Sequence, residues 1–146
     1  MFRGSTEPFY GRQFRLGEPI NSPPPLSQPH PPILVGGGGE QKTLRLVARY
    51  ADACNLFSRY GRRDLSRKLS KLRTYCEEAG RPYEAIDRTS LSQWDPVRGS
   101  PQAIVDELGE LHELGFTTAI ASVRDVESLK PLEVLAREVF PVAQRL

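Results

Sequence analysis

The sequence predicts an α/β domain built on a parallel sheet of about four β–α units, preceded by a proline-rich irregular segment. Three observations carry that prediction. Short β-favouring runs alternate with helical patterns four times along residues 31–146. The connections between them are short, so each helix must return the chain to start a parallel neighbour. Residues 1–30 have a different composition, dense in proline and without apolar periodicity.

The elements follow in order. In residues 1–30, FYGRQFRL alternates aromatic and basic residues around Gly11, and predicts a short hairpin or an extended arm. EPINSPPPLSQPHPP then leads as irregular chain into the first core strand, Ile33 to Gly36. A helix is expected from Gln41, where Leu44, Val47 and Ala48 recur at helical spacing. Ala53 to Phe57 is the second strand. Leu65, Leu69, Leu72, Cys76 and Ala79 mark one face of a helix from about Asp64 to Ala79, which Gly80 ends and Pro82 prevents from resuming. Ile86 to Leu91 is the third strand, unusually polar at Asp87, Arg88 and Thr89. Ser100 and Pro101 form a helix start, serine as cap and proline at the first helical position. Ile104, Val105, Leu108, Leu111 and Leu114 are the buried face of that helix, and Gly115 stops it. Phe116 to Val123 is the fourth strand. Asp125 to Phe140 is helical, kinked or restarted at Pro131.

Four consecutive glycines, Gly36 to Gly39, lie where the first strand becomes the first helix. Glycine loses more backbone entropy on folding than other residues, so a run of four needs a reason. Either the loop is a tight structural turn, or the backbone must come close to a ligand. The free N–H groups and dipole of the following helix favour an anion, which makes a phosphate cradle the leading alternative.

Composition excludes several classes. The chain has 146 residues and a net charge of +2, ordinary for one globular domain and too small to imply a nucleic-acid partner. No apolar stretch reaches membrane-spanning length, and MFRGSTEPFYGRQFRL lacks the apolar centre of a signal peptide, so a cytoplasmic protein is expected. Cys54 and Cys76 have no CxxC spacing and read as buried thiols, with no metal site. His112, beside Leu111, reads as a surface or boundary residue.

An ordered set of motifs resembles the luciferase-like monooxygenase family, in its branch of deazaflavin-dependent oxidoreductases. The set is YGRQFRL (Tyr10 to Leu16), the proline-rich approach, PPILVGGGG (Pro31 to Gly39) and ADACNLF (Ala51 to Phe57). EEAGRPYEAI and SPQAIVDELGELHELGFTTAI are similar to the family's C-terminal helices and last strand. The resemblance implies the C-terminal half of a (β/α)8 TIM barrel, with residues 31–146 as that half and residues 1–30 as an arm or insertion. The half carrying the first four barrel strands has no counterpart, which implies a fragment. The implied cofactor is the deazaflavin coenzyme F-420, with FMN as the alternative. The implied chemistry is hydride transfer or monooxygenation of a small organic substrate. A non-catalytic phosphate-binding or structural half-barrel, completed by a partner chain, is the other reading.

By the same resemblance, Gly36, Gly37, Gly38 and Gly39 bind the cofactor phosphate. Asn55, near the carboxyl end of its strand, is a second cofactor-binding candidate, or else a satisfied polar residue. The Glu40 side chain is expected to turn to solvent, away from a phosphate. Asp52 is expected to cap or pair locally, and Arg12 and Arg15 are surface charges or ligands for an acidic group. No catalytic residue is assigned. A half-barrel would expose a strand face and two sheet edges, so self-association or need of the other half is expected. Ile33, Val35, Cys54, Leu56, Ala119 and Ala121 lie in the strands whose alternate residues would form that face.

Overall fold

The computed structural model describes residues 4–146, which divide into a unit ending at Pro32 and a unit from Ile33 to Leu146. The first unit contains one antiparallel hairpin, β1 (Phe9–Tyr10) with β2 (Arg15–Leu16), pairing Phe9 with Leu16 and Tyr10 with Arg15. The Gly11 N–H donates to the Phe14 carbonyl at 2.9 Å and closes the turn. The proline-rich stretch after it has no helix or strand. Arg12 and Arg15 are exposed.

The second unit carries a four-stranded parallel sheet in the order β3 (Leu34–Gly36), β4 (Ala53–Phe57), β5 (Asp87–Trp94), β6 (Thr118–Val123). Three helices connect these strands: α1 (Thr43–Tyr50), α2 (Gly61–Glu78) and α3 (Pro101–Glu113). Leu44, Val47 and Ala48 of α1 and Leu65, Leu69, Leu72 and Cys76 of α2 bury their apolar stripes against Cys54 and Leu56 of β4. A second cluster joins Trp94 to Ile104 of α3 and to Leu135 and Val139 near the C-terminus.

The helix ends follow local chemistry. Gly80 (φ +64°) and Gly115 (φ +90°) take the left-handed conformation just past α2 and α3. In both places two N–H groups reach back over the last turn: Gly80 to Glu77 and Arg81 to Cys76, then Gly115 to His112 and Phe116 to Leu111. At the start of α3 the Ser100 hydroxyl accepts from the Ala103 N–H, with Pro101 in the first turn. Ser100→Ala is therefore expected to lower stability by about 1 kcal/mol, measured by urea denaturation.

Three elements differ from expectation. The first helix starts at Thr43 rather than Gln41, because Glu40–Lys42 form a turn and Lys42 offers no side-chain cap. The third strand continues to Trp94, since the polar residues after Leu91 find partners along the sheet. The C-terminal segment restarts at Pro131, one of the two expected forms, but it is not one continuous helix from there to Phe140. A 3-10 turn (Val126–Ser128) precedes α4 (Lys130–Val134), which Pro131 starts rather than breaks. A π-helical stretch then spans Leu135–Val139 and passes into α5 (Phe140–Ala143). Pro141 lacks an N–H and would crowd the carbonyl four residues back, and the wider π spacing immediately before α5 accommodates it.

Strand register assigns the two sheet faces. Val35, Cys54, Leu56, Ala121 and Val123 point to the helices. Their neighbours Leu34, Asn55, Phe57, Leu91 and Ile120 form the opposite face, and none of these belongs to either core cluster. On that face Leu34 is 49% and Ile120 39% exposed. Within the helix-side layer, burial pushes the Cys54 thiol up to about 11, and both Cys54 and Cys76 are buried free thiols. Among the described residues no helix is long and apolar enough to cross a membrane.

Candidate functional site

The four glycines occupy the turn from β3 to α1, at the carboxyl end of the first core strand. Gly36 pairs in register with Asn55, and Asn55 with Thr89, so these three lie side by side across the face opposite the helices. The Gly37 N–H donates to the Asn55 carbonyl at 3.0 Å. Gly37 adopts φ +116°, a conformation that L side chains rarely take. A Cβ on Gly38 would come within 2.9 Å of the Tyr60 ring, and one on Gly39 within 2.7 Å of Thr43 Oγ1. A Cβ on Gly36 would meet nothing within 4 Å, so space lies open above the strand end. The run therefore meets several needs: backbone conformation at 37, packing at 38 and 39, and open approach at 36.

Backbone pairing leaves donors available here. The Gly39 carbonyl accepts from the Leu44 N–H at 3.0 Å, tying the loop to the first turn of α1. The N–H groups of Gly38 and Gly39 take no partner among the described residues. Two adjacent amide donors at the entrance to a helix suit an anion.

Helix α2 buttresses this loop from behind. Lys68 is buried, and its Nζ donates to the Gly38 carbonyl at 2.8 Å and to Glu40 Oε1 at 3.3 Å. The same ammonium lies 4.8 Å from the centre of the Tyr60 ring. Arg67 Nε donates to Glu40 Oε1 at 3.0 Å, and Arg67 also pairs with Asp64. The Glu40 carboxylate is thus turned onto α2 and not, as expected, out to solvent. The hydrogen bonds from Arg67, then Lys68, hold its carboxyl below the ordinary glutamate range. Its anchoring of the turn is present at neutral pH and is lost as pH falls through that lowered value. Neutralised by two cations, Glu40 does not oppose an anion at the glycines.

Asp52 pairs across the fold and not, as its expected local role had it, with sequence neighbours: its Oδ2 accepts from the Ile33 N–H at 2.7 Å and Oδ1 lies 4.0 Å from Arg81. A further recess of about 310 Å³ opens at the carboxyl ends of β4, β5 and β6, lined by Phe57, Arg59, Leu91, Gln93, Ser122 and Glu107. Glu107 accepts from Ser92 Oγ at 2.7 Å and from Trp94 Nε1 at 3.1 Å. Ligands of parallel sheets gather at strand carboxyl ends. None of these recess residues was a candidate from sequence, although the predicted strand ends pointed to this edge. Among the described residues, no group of three or more His, Cys, Asp or Glu side chains could hold a metal ion.

No family model matches the chain, and no curated protein matches it by sequence. Solved structures do match it. A coenzyme F-420-dependent tetrahydromethanopterin reductase from Methanopyrus kandleri aligns with a TM-score of 0.75 at 15% identity, over 96% of this chain and 59% of its own. An F-420-dependent secondary alcohol dehydrogenase, in complex with an F-420–acetone adduct, aligns with a TM-score of 0.76 at 15% identity, over 98% of this chain and 58% of its own. A monooxygenase from Streptomyces bottropensis aligns with a TM-score of 0.62 at 16% identity, over 96% of this chain and 57% of its own. The chain shares the fold of these proteins and spans less than three-fifths of their length.

Proposed function

We propose that this chain is the cofactor-phosphate-binding part of a deazaflavin-dependent oxidoreductase. In this reading its sheet is half of a (β/α)8 barrel, and the rest is supplied by further chain or a partner. The observation that carries the reading is the Gly36–Gly39 loop, whose two unpartnered N–H groups stand at a strand's carboxyl end before α1. Coenzyme F-420 is the favoured cofactor because two of the matching structures are described as F-420-dependent, and FMN is the alternative. When bound, the deazaflavin ring supplies the hydride chemistry, and the protein supplies orientation. Gly38 and Gly39 would donate to the phosphate, and Asn55, beside Gly36 on the face opposite the helices, lies within the same strand-end neighbourhood. The substrate class is a small organic molecule undergoing hydride transfer or monooxygenation.

A second reading uses the same loop, whose unpartnered N–H groups suit an anion without calling for any catalytic residue. On that reading it is a phosphate-binding or structural half-barrel without catalysis of its own. Fluorescence titration of the chain with F-420 and with FMN tests both readings. The expected result is saturable binding of F-420 that inorganic phosphate competes away. Binding that phosphate does not affect would remove the glycine loop from the site.

A further inference from the structure

We infer that Lys68 is a positioning residue for the glycine cradle, setting which way the Gly38–Gly39 peptide faces. This inference rests on the phosphate reading of that loop. The Lys68 ammonium is buried behind the loop and donates to the Gly38 carbonyl at 2.8 Å. In a trans peptide the carbonyl and the following N–H point in opposite directions. Holding the Gly38 carbonyl against α2 therefore turns the Gly39 N–H away from α2, to the side where it meets no protein acceptor.

Glycine makes this hold necessary. A run of four residues without Cβ atoms has many accessible backbone conformations, and a cradle that flips its peptides presents carbonyl oxygen to an anion as often as N–H. The surroundings fix Lys68 in turn. Glu40 accepts from it at 3.3 Å, the Tyr60 ring lies 4.8 Å away, and Arg67 holds the other side of Glu40. The same Tyr60 ring would obstruct a side chain at 38, so ring and ammonium together bracket this peptide. Lys68 stands thirty residues beyond Gly38 in sequence and acts on the anion only through the peptide.

The test is NMR of the whole chain, comparing wild type with Lys68→Met and Lys68→Arg, with inorganic phosphate as probe. In wild type, phosphate is expected to move the Gly39 amide proton downfield as it accepts the hydrogen bond. In Lys68→Met, the Gly38 carbonyl carbon should shift without ligand, the phosphate-induced Gly39 shift should vanish, and affinity should fall about tenfold. Lys68→Arg keeps the charge and a donor, and should restore most of the Gly39 response. Circular dichroism checks that both variants fold. Wild-type behaviour in Lys68→Met overturns the inference. So does weaker binding that retains the Gly39 shift, because Lys68 would then act as a distant charge alone. Absence of any phosphate response in wild type overturns the cradle and the positioning role with it. If the carbonyl carbon of Gly38 still moves in Lys68→Met in that case, the fault lies in the phosphate reading and not in the Lys68 hydrogen bond.

Discussion

Gly37→Val is expected to weaken F-420 binding by at least about tenfold, equivalent to about 1.4 kcal/mol, while the helical dichroism stays close to wild type. Two effects act together. Gly37 sits at φ +116°, where a β-branched residue is strained by about 1–3 kcal/mol. The substituted loop relieves that strain by rotating the backbone, which breaks the Gly37 N–H bond to Asn55 and re-aims the peptides at 38 and 39. A Cβ at 37 would stand 3.6 Å from Thr43 Cγ2, an ordinary contact, and the two methyl groups beyond it add bulk to the loop that a ligand would have to approach. Gly36→Ala separates the two effects. Position 36 has an ordinary backbone conformation and open space, so an added methyl there costs little stability and obstructs only a ligand. Loss of binding in both variants supports close approach, whereas loss in Gly37→Val alone assigns the effect to loop geometry. Unchanged F-420 binding by Gly37→Val would remove the cradle reading altogether.

The fold was legible in the sequence because its signals are local. The Ser100–Pro101 start, the stops at Gly80 and Gly115 and the apolar stripe of α2 each depend on residues within a few positions. The glycine run was legible for the same reason, and its place between strand and helix followed from the apolar periods on either side. What supports the loop was not legible. Lys68 and Arg67 reach it from α2, and nothing in their surface-like helical pattern distinguishes a buried ammonium from a solvated one. Glu40 was misplaced for that reason: a glutamate near a helix start reads as solvent-facing until its long-range partners are known.

Strand parity posed a related problem. The face opposite the helices mixes Leu34, Phe57, Leu91 and Ile120 with Asn55, Gln93 and Ser122. That mixture has no simple alternation to read. The apolar neighbours Val35, Cys54 and Leu56 stand out in the sequence and belong to the helix side instead. At the C-terminus the restart at Pro131 was legible from that proline, whereas the π-helical stretch before Pro141 had no local signal beyond Pro141 itself.

In solution the isolated chain is expected to self-associate and to show no turnover, and Ile120→Lys is expected to shift it toward monomer. Strand β6 is an edge strand of six residues, TAIASV, without a charge or proline to discourage pairing. Ile120 is 39% exposed on the face opposite the helices, beside Leu91 in register. On the helix side of the same strand an open apolar groove of about 550 Å³ is lined by Trp94, Leu111, Phe116, Ala121, Leu132 and Phe140. Unpaired backbone and apolar surface thus adjoin along one edge, a combination that favours addition of another strand. The other edge, β3, has three residues and ends in glycine, so it is the weaker template. A lysine at 120 places charge on β6 at small cost to the monomer, because that position is not in either core cluster. Sedimentation of wild type and Ile120→Lys over a range of concentrations reads the association, and a deazaflavin reduction assay reads turnover. On the proposed half-barrel reading turnover is expected to be absent from both proteins, because half a barrel would supply one side of a ring pocket only. A wild-type chain that stays monomeric at high concentration and reduces the cofactor would mean that this sheet needs no second half.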